Sequence, residues 1–148
     1  MKYDDKVIDK SFAYELANYY KRKVKWQASN HAVGSYPYGD NPTYNLLGHS
    51  HFTRRSIDLI EYGSDMSMNI KLIDLWNHIK KAFGKPHLFL HGIYANLQFK
   101  GMDGGLHRDD DGYNQGTSFI VMLSPNNETE NIGGEFYNET QKKSVEFK

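Results

Sequence analysis

Cysteine is absent from all 148 residues. Disulfide frameworks, thiolate metal sites and cysteine nucleophiles are therefore excluded, and any metal must be held by nitrogen and oxygen. An excess of charge of one sign is missing as well. Lys plus Arg and Asp plus Glu both number 18, and the isoelectric point is near neutral. With no whole-chain electrostatic footprint, no nucleic-acid partner is expected. Met1 to Lys10 is polar and charged rather than an apolar leader, and no later run approaches membrane-spanning length. No membrane is expected, and the chain reads as soluble and cytoplasmic. Its length suits a single domain with one core.

What the chain does hold is aromatic residues and glycine, with 11 Tyr, 8 Phe and 13 Gly, a composition that leans toward sheet. Lys10 to Arg22 reads as a short helix, with Phe12, Leu16 and Tyr19 or Tyr20 on one apolar stripe. Val24 to Gln27 reads as a strand, and Ser29 to His51, rich in Gly, Pro, Asn, Tyr and His, as turns and a long surface loop. Asn69 to Phe83 is the clearest helix: Leu72, Leu75, Trp76, Ile79 and Phe83 recur at three and four, and Gly84, Lys85 and Pro86 supply the stop. His87 to Phe99 reads as a long strand with His87, Phe89, His91, Ile93, Ala95, Leu97 and Phe99 on one side and Tyr94, Asn96 and Gln98 on the other. Thr117 to Leu123, Gly134 to Asn138 and Ser144 to Phe147 complete the strands. Helices first and short strands with Gly-rich turns later predict an α+β domain whose later part is a sandwich or barrel.

The segment richest in chemistry is Gly104-Gly105-Leu106-His107-Arg108-Asp109. An imidazole and a carboxylate two apart on an extended chain project to the same face, so both can reach one cation. Two histidines and one carboxylate on one face of an octahedral Fe(II) leave three positions for a chelating oxo-acid and dioxygen. Three other readings compete. A surface His beside a turn Asp is common by frequency. A calcium loop fails on spacing, because the twelfth position from Asp109 is Ile120 rather than a bidentate Glu. His107-Arg108-Asp109 followed by Asn114 imitates a kinase catalytic loop, but no Asp-Phe-Gly follows, no glycine-rich phosphate loop precedes, and the chain is too short for two lobes.

Taken in order, Tyr94 to Phe99, Gly101, Gly104 to Asp109, Thr117 to Leu123 and Gly133-Gly134-Glu135-Phe136-Tyr137 resemble Fe(II)/2-oxoglutarate oxygenases. The similarity is to the prolyl-4-hydroxylase-like branch, in particular its short phage and bacterial versions. The resemblance covers the last third to two-fifths of the chain. It implies a double-stranded β-helix, or jelly roll, with N-terminal supporting helices. It implies His107 and Asp109 as iron ligands, and Tyr94, Asn96 and Gln98 on the strand that lines the cosubstrate. It also implies 2-oxoglutarate as cosubstrate, ascorbate as auxiliary reductant, and hydroxylation of a peptidyl-prolyl or small-molecule substrate. The family places a second His and then a basic residue on a later strand, whereas all seven histidines here (His31, His49, His51, His78, His87, His91 and His107) lie at or before the motif. The chain is accordingly expected to be truncated before its last strands, and inactive as it stands. Completion by His91, or a cosubstrate contact from Lys142, Lys143 or Lys148, is the lesser possibility. The contrasting class is a non-catalytic jelly-roll module that binds a carbohydrate or protein through the aromatic loop Tyr36 to Tyr44.

Overall fold

A computed structural model describes residues 7–32, 44–97, 117–123, 135–138 and 143–146. In chain order the elements are α1 (Lys10–Arg22), β1 (Gln27–Ala32), β2 (Tyr44–Arg54), β3 (Ile60–Tyr62), α2 (Met66–Ala82), β4 (Gly92–Leu97), β5 (Glu135–Asn138) and β6 (Lys143–Glu146). The class is α+β, as expected. β2 is the centre of a four-stranded antiparallel sheet: β1 and β3 pair along one edge, toward opposite ends, and β4 along the other. β5 and β6 form a separate antiparallel pair.

Both helices begin on an aspartate. Asp9 accepts from the Ser11 N–H at 2.6 Å, and Asp65 accepts from the Met68 N–H at 3.1 Å, each satisfying an N–H that the first turn leaves without a partner. The Asp65 cap starts α2 three residues earlier than the apolar periodicity alone predicts, because a polar cap carries no hydrophobic mark. α2 ends as predicted. Gly84 adopts a φ of 69°, and the Gly84 and Lys85 N–H groups return to the carbonyls of Lys81 and Lys80, the paired bonds that close a helix at a left-handed glycine.

The core lies between the two helices and the sheet. Leu16 and Tyr19 of α1 meet Met68 and Leu72 of α2, and Phe12, Tyr20, Leu75 and Ile93 pack around them. Burying a side chain such as Leu16, which is 1 % exposed, contributes about 1.5–3 kcal/mol. Trp76 and Phe83 on the neighbouring stripe of α2 hold Phe119 edge-on, with ring centroids 5.5 Å apart in both pairs. Neither helix is long and apolar enough to cross a membrane.

Four strand expectations are corrected. Val24 to Gln27 is not a strand; pairing begins at Gln27. The expected loop Ser29 to His51 is strand through Ala32 and again from Tyr44, while residues 33–43 lie outside the described residues. Two irregularities hide these strands. One extra residue sits in β1 between Ala28 and His31, and one in β2 between Ser50 and Phe52, where His51 and Phe52 together oppose Ile93. A bulge breaks the period of two that marks a strand in sequence. The long strand expected from His87 starts only at Gly92 and is described to Leu97, with Gln98 and Phe99 outside the described residues. His87 to His91 emerges from the α2 stop, with the Leu88 N–H bonded to the Lys85 carbonyl and Phe89 91 % exposed. Thr117 to Leu123 keeps the period-two burial of a strand, with Phe119, Val121 and Leu123 inward, but forms no ladder among the described residues.

Gly63, between β3 and α2, passes close behind β2. A Cβ there would lie 2.5 Å from the Ser50 carbonyl oxygen and 3.2 Å from the His51 Cα, both backbone atoms that cannot swing aside. Gly63→Ala is therefore expected to destabilise the fold by about 1–3 kcal/mol. Urea denaturation checks this, and an unchanged midpoint would show that the β3–α2 turn shifts freely.

Candidate functional site

The bulge in β2 sorts the sheet into two chemically different faces. Cross-strand partners share a face, so Leu47 with Leu97 and His49 with Ala95 lie on one side, and Gly48 with Asn96 and Ser50 with Tyr94 on the other. Ile93, on the side of Ala95 and Leu97, packs into the helical core. The first set thus faces the helices and the second faces away. Of the expected cosubstrate residues, Tyr94 and Asn96 both stand on the face turned from the helices, and both are exposed. The Tyr94 ring lies back over Gly92, within 2.7 Å of the space a Cβ at that position would fill. Beside it the Ser50 and Thr53 hydroxyls share a hydrogen bond of 3.0 Å. Gln98 and the metal pair His107 and Asp109 lie outside the described residues, as do most of the Tyr36 to Tyr44 loop, Lys142 and Lys148. His91 is exposed just before β4, where its carbonyl accepts from the Arg54 N–H at 2.8 Å. Among the described residues no group of three or more His, Asp or Glu side chains gathers in the manner of a metal centre.

On the helical face stands a polar cluster that the sequence reading passes over. His51 is completely buried. Its Nδ1 is 2.9 Å from Asn69 Oδ1 and its Nε2 is 2.9 Å from the Tyr20 hydroxyl. Asn69 donates its Nδ2 to the Gly63 carbonyl at 2.7 Å, which orients its amide and leaves Oδ1 as the acceptor. His51 must then donate from Nδ1 and accept from the Tyr20 O–H at Nε2. The ring is neutral, in the Nδ1–H tautomer, with both nitrogens engaged. Burial holds its pKa below the ordinary histidine value, and the neighbouring His49 ring adds to the effect, while the Asn69 bond and the Asp65 charge pull the other way. Burial likewise pushes the Tyr20 phenol well above its usual range, so it stays a donor.

Aromatic rings enclose the cluster. The His49 ring meets His51 edge-on at 4.7 Å, Tyr20 meets it at 5.6 Å, and Trp26 lies against Tyr20 at 5.9 Å. With both His51 nitrogens engaged, His51 clamps α1, β2 and α2 together, while the neighbouring His49 Nε2 is buried without a hydrogen-bond partner among the described residues. The one sequence sign of it was a pair of histidines two apart, Gly48-His49-Ser50-His51, a spacing that places both rings on one strand face.

Neither protein-family profiles, nor curated proteins, nor solved structures contain a match to this chain.

The His51 proton links the fold to pH. The unfolded residue titrates near 6.5 and the folded one lower. Its contribution is therefore complete above pH ~6.5 and declines as the pH falls from there toward the folded value, by at most about 1.4 kcal/mol per pH unit. Denaturation between pH 7.5 and 5 is expected to show this loss in the wild type and a flatter profile in His51→Gln. Equal slopes in the two proteins would assign the dependence to another group.

Proposed function

We propose that this chain carries the metal-binding pair of an Fe(II)- and 2-oxoglutarate-dependent dioxygenase of jelly-roll fold. His107 and Asp109 are the ligands, and the substrate is a peptidyl-prolyl group or a small molecule. The observation that carries the reading is the order of the motifs: the Tyr94 to Phe99 strand segment, the glycines, His107-Arg108-Asp109, the Thr117 to Leu123 segment and Gly133-Gly134-Glu135-Phe136.

The donor chemistry fits the metal. A neutral imidazole and a carboxylate suit Fe(II), and a chain without cysteine offers no thiolate to recruit a softer ion. The placement of Tyr94 and Asn96 is also compatible. Both stand on the sheet face turned from the helices, ten or more residues before the pair, where a phenol and a carboxamide can hydrogen-bond an oxo-acid carboxylate. His51 takes no part, since both its nitrogens are occupied on the opposite face.

Iron bound there would activate dioxygen at the expense of 2-oxoglutarate, which would leave as succinate and carbon dioxide, so that one oxygen atom could be inserted into a substrate C–H bond, with ascorbate as auxiliary reductant. The protein's own share is positional. His107 and Asp109 would hold the metal, and Tyr94 and Asn96, on the sheet face turned from the helical core, would orient the cosubstrate. The sequence offers no histidine after His107, so the third ligand is the element of the family pattern that this chain does not match.

Anaerobic titration with Fe(II) and 2-oxoglutarate tests the reading. A visible charge-transfer band, and succinate release on admitting air, are the expected outcomes. His107→Ala and Asp109→Ala should each weaken iron binding by more than the roughly 10–100-fold cost of losing a supporting group, because each removes a direct ligand. Binding of a glycan or protein that is indifferent to chelators, with no iron uptake, would replace the enzyme reading with a non-catalytic binding module.

A further inference from the structure

The overall charge balance conceals one local concentration. Lys21, Arg22, Lys23 and Lys25 place four of the eighteen cationic residues within five positions, and all four are exposed. Part of this has an ordinary explanation. Lys21 and Arg22 occupy the last turn of α1, where cations complement the negative end of the helix dipole. Lys23 is the C-cap of α1, its N–H bonded to the Tyr19 carbonyl, and lies at the same negative end; Lys25 stands two residues beyond it and has no such role. Among the described residues, none of the four lies within ion-pair distance of a carboxylate; the two ion pairs there are Arg55–Glu61 and Lys71–Glu15.

Arg22, Lys23 and Lys25 line a groove. A cleft of about 420 Å³ bounded by Lys23, Lys25 and Ser64 joins a second of about 620 Å³ bounded by Arg22, Asn18 and Tyr14, the two sharing Tyr19, Lys23 and Asp65. The result is a continuous trough between α1 and the start of α2. Two carboxylates, Glu15 and Asp65, also line it. Asp65 caps α2 through the Met68 N–H, and Glu15 pairs with Lys71. Its walls mix charged and polar side chains with tyrosine and methionine, and Tyr14 stands 74 % exposed at one end. A ligand with a negative charge on every repeat and flat faces to stack on tyrosine matches this combination of cations and exposed aromatic surface.

We infer that the groove between α1 and α2 binds single-stranded nucleic acid, with Arg22, Lys23 and Lys25 on successive phosphates and Tyr14 as a stacking platform for a base. The neutral whole-chain charge does not oppose this, because screening confines each charge's influence to about 8–10 Å at ordinary salt, and the local patch decides. The inference is independent of the iron reading, since the groove lies between the helices and not on the open sheet face.

Fluorescence anisotropy with a labelled 12-nucleotide oligouridine tests it on the full chain. Binding is expected at 50 mM salt. Three phosphate contacts give a log–log salt slope near −2, or about twentyfold weaker binding at 200 mM. Replacing Arg22, Lys23 and Lys25 together by Ala should weaken binding at least about tenfold and flatten the slope. Tyr14→Ala should weaken it about fivefold or more with the slope retained. All four side chains are exposed, and an unchanged melting temperature confirms that the variants fold. No binding at 50 mM, a triple variant that binds like wild type, or equal binding of a 12-residue oligoglutamate or of the corresponding duplex would overturn the inference.

Discussion

A fully buried histidine on the central strand is tolerable only if its charge is suppressed and both ring nitrogens are satisfied, since an unpaired polar group in a core costs about 1–3 kcal/mol. His51 meets that condition with partners from three separate parts of the chain. Tyr20 comes from α1 and Asn69 from α2, and Asn69 is itself oriented by the Gly63 carbonyl. Each bond fixes the direction of the next. The Gly63 carbonyl orients the amide, the amide dictates the imidazole tautomer, and the tautomer makes the Tyr20 hydroxyl a donor. Apolar contacts among Leu16, Tyr19, Met68 and Leu72 hold the helices near the sheet, but they are non-directional. The hydrogen-bonded chain sets the registry in which the helices sit.

The bulge at His51 serves the same constraint from within the strand. By placing His51 and Phe52 together opposite Ile93, it turns two consecutive side chains toward the helices and returns Thr53 to the side of Ser50, where their hydroxyls meet. A regular strand would send alternate residues to opposite faces and could not bury both. The sheet thereby acquires a helical face closed by aromatic rings and an opposite face bearing Ser50, Thr53, Tyr94 and Asn96. The proposed cosubstrate residues are on the second, and the cationic groove lies among the helices. Two surfaces of different chemistry can therefore act without competing for the same side chains.

Much of the helical part was legible in the residues themselves. α1 has the predicted bounds, the α2 stop at Gly84 uses the left-handed conformation that glycine favours, and the alternation of β4 places Tyr94 and Asn96 together. These features depend on neighbours within a few positions. β1 and β2 were not legible, because each contains an extra residue that cancels the alternation, and β2 runs through a polar Gly-His-Ser-His stretch with no apolar period. The proposed iron-binding pair is read from the order of the motifs around it, and residues 107 and 109 lie outside the described part of the fold.

The sequence by itself determined the absence of thiol chemistry, the two amphipathic helices with their stop, and the His107-x-Asp109 pair as candidate ligands, since composition, helical period and strand spacing are local properties. Only the tertiary structure decided that His51 is a neutral clamp and that Lys23 and Lys25 share a groove with Tyr14 and Asp65. Both depend on residues tens of positions apart meeting in space, such as Tyr20 with His51 and Lys23 with Asp65, and a protonation state or a concave surface exists only once they have met.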